Sequence, residues 1–264
     1  MASDRVKVLF CGARSLGMQC LEMLANNPHV DLVGAVVPRK TEQVWWKDVV
    51  DEDFVNDLGV DLIDWKDAKE LRGLDLVFSV LHGPIFKEPF ISNVKCGVIN
   101  LHPAGLPFYR GCNGYAHAIM NDDKAYGVSL HFVDEGIDTG HLIDEAWIPI
   151  KNDDTGWTLY KKAQTAARKV FARNLWPIIA LAREGKKISS YPQGEEDAAY
   201  YPRTSLQNKE IGIRWDYHKL YNFVRALQFE PFEPAYYVLE GQKFHLKIDQ
   251  YGIYVVENGY KMVA

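Results

Sequence analysis

The chain has 264 residues, with 30 Lys and Arg against 35 Asp and Glu, hence a net charge of −5. Its length allows one large domain or two smaller ones and is enough for a sizeable core. Its 25% charged and 12% aromatic residues exclude disorder and coiled coil, no apolar run approaches a membrane span of ~18 residues, and the acidic balance disfavours a nucleic-acid surface that works by charge.

Val6 to Cys11 is a short apolar run that stops at Gly12. Helical spacing follows, with Gly17, Cys20, Leu21 and Leu24 on one face up to Asn26-Asn27-Pro28. Val30 to Val37 is a second apolar run, closed by Pro38. Strand, helix and apolar strand in this order predict the start of a parallel sheet. Trp45-Trp46 comes next, either a lid or a packed loop. Leu74 to Leu81 and Cys96 to Leu101 are further buried strands, and Phe86 to Asn93 between them carries weaker helical signals. Five Pro and Gly residues from Pro103 to Gly114 predict a shaped loop, and a helix restarts near Asn113 and ends near Asn121. Val128 to Val133 and His141 to Ile150 read as strands flanking a Gly-rich turn. Thr155 to Gly185 is a long helix that Pro177 bends or splits.

Residues 186–210 are polar and read as a linker. Leu220, Phe223, Val224 and Leu227 then fit one helical face, and short strands at Tyr236 to Leu239, Lys243 to Ile248 and Ile253 to Val256 close the chain. The expected fold is α/β: a Rossmann-like, mostly parallel sheet with helices on both faces, followed by a small α+β unit. The expected division is 1–185 for the Rossmann-like domain, 186–210 for the linker and 211–264 for the C-terminal unit. Cys11, Cys20, Cys96 and Cys112 form no CxxC pair, and no His stands near them at zinc-ligand spacing. No charged-then-apolar leader opens the chain. Reduced thiols, no metal and a cytoplasmic location are expected.

The richest stretch runs from Asn100 to Gly111. Asn100 and His102 are two apart at the carboxyl end of an apolar strand, so both side chains share a face. That end is where open α/β sheets place their ligand crevice. An amide and an imidazole spaced this way straddle a reacting carbonyl, one holding an oxyanion and the other taking a proton. A His beside an Asn at a strand end is more often a turn device, and a second motif changes the balance. Asp134, Glu135 and Asp138 fall among Gly136 and Gly140 between two strands. Acidic turns of this kind suit a hairpin, but one of these carboxylates beside the imidazole would fix its tautomer. Gly12-Ala13-Arg14-Ser15 joins the first strand to the first helix, and its N–H groups, Arg14 and Ser15 form a candidate phosphate site.

These motifs resemble the folate-dependent formyltransferases, whose pattern is Asn-x-His at a strand end, a Leu-Pro turn and an Asp-x-Gly turn. Here they are Asn100, His102, Leu106-Pro107 and Asp138-Thr139-Gly140. The segment from Ser129 to Gly140 is most similar to the nucleotide-sugar N-formyltransferases, and Gln193 through Arg203 resembles a linker shared with the tRNA enzymes. The resemblance implies transfer of a formyl group from 10-formyl-tetrahydrofolate to the primary amine of a nucleotide-linked amino sugar, dTDP-linked for preference. It makes His102 the general base, Asn100 the oxyanion donor and Asp138 the residue that orients His102. It places folate at Leu81, His82, Gly83 and Ile85 and at Asp134 and Gly136. It places the substrate at Gly12, Arg14, Ser15, Tyr109 and Arg110, although Arg110 is equally suited to holding the Gly111 loop. Trp215, Tyr217, Tyr221 and Phe229 fit either a base-stacking surface or, at better odds, the core. The resemblance further implies a homodimer and a role in lipopolysaccharide O-antigen synthesis. Methionyl-tRNA formyltransferase is the alternative within the family, disfavoured by the charge, and a non-catalytic Rossmann-like binding protein is the rival outside it.

Overall fold

The computed structural model describes residues 5–38, 52–212, 214–257 and 260–262. Trp45 and Trp46 lie outside these residues. In chain order the elements begin β1 (Val6–Gly12), α1 (Arg14–Ala25), β2 (Val30–Val36), α2 (Glu52–Asp57), α3 (Trp65–Ala68), β3 (Leu76–Val80) and β4 (Val98–His102). They continue with β5 (Arg110–Gly111), α4 (Gly114–Met120), β6 (Ala125–Phe132), β7 (Leu142–Pro149) and α5 (Gly156–Arg183). The chain then forms β8 (Tyr200–Tyr201), a 3₁₀ turn (Arg203–Leu206), α6 (Tyr217–Leu227), and β9 (Tyr236–Leu239), β10 (Gln242–Asp249), β11 (Gly252–Glu257) and β12 (Tyr260–Met262).

The central sheet has the order β2-β1-β3-β4-β6-β7. β1 pairs parallel with β2 and β3, and β3 pairs parallel with β4. β6 and β7 complete it antiparallel. The first strands are largely apolar, and those at the centre of the sheet bury both faces. Val8 and Phe10 of β1 belong to one core cluster with Phe78 of β3, while Leu9 and Cys11 belong to a second with Val77. α1 and α5 pack in the first cluster through Leu21, Leu24, Val170 and Phe171. The second is closed by Phe86 and Phe90, with Trp65 against them. The expected α/β architecture, with a mostly parallel sheet, is the one observed.

Two local expectations change. Phe86 to Asn93 forms turns rather than a helix: Phe90 N bonds Lys87 O at 3.0 Å and Asn93 N bonds Pro89 O at 3.2 Å, while Pro84 and Pro89 supply no amide donor to carry a longer ladder. α5 runs unbroken through Pro177. A stripe from Leu159 to Ala182 holds it against the sheet, and Thr155 caps its start by accepting from Thr158 N. Such a cap contributes about 1 kcal/mol.

The last strands form an antiparallel sheet, β12-β11-β10-β9, with α6 against it through Val224 and Leu227. Arg225 of α6 is buried and donates to the carbonyls of Lys151 at 3.1 Å and Asp154 at 2.9 Å. The polar stretch after α5 lies against the start of β7 and against β5. Tyr191 and Leu142 exchange two backbone hydrogen bonds, and β8 pairs parallel with β5.

Candidate active site

Asn100 and His102 stand at the carboxyl end of β4, beside β3 on one side and β6 on the other. In the register of β4 with β6, Asn100 faces His131 and His102 faces Ser129. Ser129 is fully buried. It donates to Ala104 O at 2.9 Å and accepts from Leu106 N at 3.1 Å, so β6 fixes the loop that leaves His102.

The tautomers follow from the partners. His102 Nε2 lies 3.0 Å from Tyr109 O, which only accepts, so Nε2 carries the proton. Nδ1 is then the basic atom, and it faces Asp138 Oδ2 at 3.8 Å. That is too long for a direct hydrogen bond. Asp138 therefore acts on His102 by charge, while Tyr109 O sets the ring's orientation. His131 Nδ1 donates to Phe132 O at 2.7 Å, leaving Nε2 to accept from Asn100 Nδ2 at 3.1 Å. This contact fixes the Asn100 amide with its nitrogen towards His131 and a second N–H to spare.

Asp138 brings the two histidines together. Its other oxygen lies 3.6 Å from His131 Nε2, and Oδ2 accepts from Gly111 N at 2.9 Å. Burial alone would raise its carboxyl pKa. His102, His131 and the Gly111 N–H outweigh burial and hold it well below the usual carboxylate range. Asp138 sits at φ 55°, in the left-handed region that Asp tolerates better than most residues. The turn is tight: a Cβ at Gly140 would lie 1.9 Å from Phe132 O.

A cavity of about 1310 Å³ opens onto these three side chains. Leu81, His82, Gly83, Ile85 and Gly136 line it, as do Gly12 and Arg14. Asp134, Ser15, Tyr109 and Arg110 do not. Asp134 accepts from Gly136 N and Thr139 Oγ1 and so shapes the turn. Ser15 Oγ accepts from Gln19 one helical turn on. The Tyr109 ring is buried, with its hydroxyl on Asp123. Arg110 is taken up by Gln193 and Glu195. Of the four tail aromatics singled out in the sequence, Phe229 lines the cavity; Trp215, Tyr217 and Tyr221 do not.

The far wall adds residues that sequence reasoning missed. Arg203, Lys209, Phe232 and Glu233 come from beyond α5, too far along the chain for spacing to connect them with Asn100. His131 was missed as well, although it has a signal. Ser129 and His131 repeat on β6 the two-residue spacing of Asn100 and His102, as facing strands do. His82 Nε2 is buried and has no hydrogen-bond partner among the described residues. Burial lowers its pKa to about 4, so it is neutral at pH 7.

The amide and imidazole of β4 and the carboxylate of the β6–β7 turn converge on one cavity, an arrangement that suits group transfer at a carbonyl. The family model described as formyl transferase matches residues 63–175. Methionyl-tRNA formyltransferase from Pediococcus pentosaceus is 29% identical over 248 residues, covering 89% of this chain and 75% of that protein. GDP-perosamine N-formyltransferase from Brucella melitensis biotype 1 is 30% identical over 184 residues, covering 67% of this chain and 66% of the relative. Among solved structures, an N-formyltransferase from Helicobacter canadensis in complex with folinic acid and dTDP-3-aminofucose superposes with a TM-score of 0.76 at 21% identity, covering 97% of each chain. The chain belongs to the formyl transferase family and is a formyl-transferring enzyme.

Proposed function

We propose that this protein moves the formyl group of 10-formyl-tetrahydrofolate to the primary amine of a nucleotide-linked amino sugar. One observation carries the reading: a single cavity runs from Asn100, His102 and Asp138 to Arg14, Arg203 and Lys209, with Phe229 and Phe232 beside them. A short amine at one end, a diphosphate among the cations and a base against the aromatic rings fit that sequence of groups. The complex of the Helicobacter canadensis enzyme supports a folate and a dTDP-sugar as the two ligands, and the perosamine enzyme supports a sugar amine.

The chemistry then divides among the chain's own groups. The acceptor amine attacks the formyl carbon, and a C–N bond forms as the carbonyl pair moves to oxygen. The second N–H of Asn100 holds that oxyanion. His102 Nδ1 takes the proton released from the amine, and Asp138 stabilises the imidazolium. As the tetrahedral centre collapses, His102 returns the proton to the folate nitrogen while its bond to the formyl carbon breaks. The loop Leu81 to Phe86, with Trp65 packed edge-on to His82 at 4.8 Å, supplies backbone and an aromatic wall for the pterin.

The second reading, methionyl-tRNA formylation, is favoured by the identity with the Pediococcus enzyme over most of this chain. Incubation with 10-formyl-tetrahydrofolate and a panel of nucleotide-linked 3-amino and 4-amino sugars separates the two. Tetrahydrofolate release above the water blank is expected with at least one dTDP-linked member. Release with methionyl-tRNA alone would replace this reading with the tRNA one. The division into 1–185, 186–210 and 211–264, a cytoplasmic homodimer and a place in O-antigen synthesis belong to the same proposal.

A further inference from the structure

Gln193 lies in the polar stretch after α5, 55 residues from Asp138, yet its side chain is built into the Asp138 turn. Nε2 donates to Asp138 O at 2.9 Å and to Gly140 O at 2.8 Å. Oε1 accepts from Arg110 Nε at 3.1 Å and Nη2 at 3.0 Å. The two carbonyls only accept and the guanidinium only donates, so the four contacts fix both ends of the amide without ambiguity. A primary amide of this length satisfies both sides at once. Glu would set an anionic oxygen against two carbonyls, and Met would offer neither donor nor acceptor.

The clamp has a geometric purpose. Asp138 holds a left-handed backbone that costs energy in a non-glycine residue, and Gln193 bonds the carbonyl of that residue and of Gly140, two positions on. Arg110, whose side chain anchors Gln193, is followed by Gly111, whose N–H donates to Asp138 Oδ2. Gln193 thus ties the backbone of the carboxylate's turn to the loop that receives its head. We propose that Gln193, anchored by Arg110, is a positioning residue that sets the Asp138 carboxylate against His102. The inference rests on the role given to Asp138 above and moves Arg110 from substrate contact to support.

The Gly111 amide makes a direct test. In the β5–β8 pair, Arg110 N bonds Ala199 O and Cys112 N bonds Tyr201 O, while Gly111 N between them bonds the Asp138 carboxylate. Its hydrogen exchange therefore reports the carboxylate's position. In Gln193→Glu and Gln193→Met of the full chain, Gly111 should exchange at least about tenfold faster while Arg110 and Cys112 keep their protection. In formyl transfer, kcat should fall about 10–100-fold, the scale for a misplaced catalytic group, with KM for both substrates within about twofold. Arg110→Met should act in the same direction, less strongly, and stands in if a Gln193 variant folds poorly. Unchanged Gly111 exchange overturns the proposal. So does joint loss of protection at all three amides in a folded variant, which shows that Gln193 holds the β5–β8 pair rather than the carboxylate, and so does a raised acceptor KM at constant kcat, which marks substrate contacts. The exchange measurement needs no substrate, so failure to find an acceptor defeats the proposed activity without touching this result.

Discussion

His131 accepts a hydrogen bond from Asn100 and so determines which way that amide faces. An amide rotated end for end would present oxygen to a developing oxyanion and repel it. His131→Phe should therefore lower kcat about tenfold, and Asn100→Ala about 10²–10³-fold, the cost of one oxyanion donor. The double variant should be little worse than Asn100→Ala, because both changes remove one function. Steady-state kinetics on the four proteins reads this, and full additivity would show that His131 acts elsewhere. At the same scale, His102→Ala should reduce kcat about 10²–10⁴-fold, the usual contribution of a general base. Period two put Asn100 and His102 on one face, but it was the resemblance to the formyltransferases that singled out Asp138 from the three carboxylates of its turn. His131 shows in the sequence only as part of a two-residue repeat with Ser129, and the strand register is what sets it opposite Asn100. Tyr109 and Arg110 stand in the right loop, but their side chains face Asp123 and Gln193, and sequence position does not report facing.

At the scale of elements, α6 depends on Arg225. The guanidinium is buried, donates to two carbonyls of the loop before α5, and bonds Asn222 Oδ1 at 2.9 Å. Arg225→Met leaves those acceptors unpaired and should cost about 1–3 kcal/mol in urea unfolding. A loss under 0.5 kcal/mol would show that water replaces the side chain. The inner strands of the central sheet were readable because two-sided burial makes them nearly continuously apolar, as in β3. The weak helical signals at Phe86 to Asn93 came from apolar residues that face the second core from turns, a spacing that a short helix would also produce. Pro177 does not split α5 for a related reason. A proline removes one hydrogen bond, but the packed stripe of α5 supplies far more than one bond's worth of stability.

For the whole molecule, acid should be destabilising before carboxylates titrate in bulk. Burial lowers His82 and His117 to about 4, below the unfolded value of ~6.5. Their neutral forms therefore favour folding fully above that value, and the contribution is lost as pH falls through about 4. Asp138 has the same sign in a lower window: its contribution is complete above the unfolded carboxylate value of ~3.9 and is lost as pH falls towards its depressed folded value. The urea midpoint should fall from pH 7 to pH 5. His117→Gln should flatten that slope, since the ring now stacks on Tyr201 at 4.0 Å and meets Ser205 Oγ at 2.8 Å. An equal slope in the variant would put the sensitivity elsewhere.

The backbone pairs of Tyr191 with Leu142 and of β8 with β5 also set an order of events during synthesis. Both motif-bearing strands leave the ribosome well before Gln193 and Tyr201 do. At roughly 5–20 residues per second, the nascent chain spends seconds with its sheet assembled and its catalytic loops unfastened. Competence for transfer arrives as a late step of maturation, when the segment after the long helix folds back across loops made tens of residues earlier.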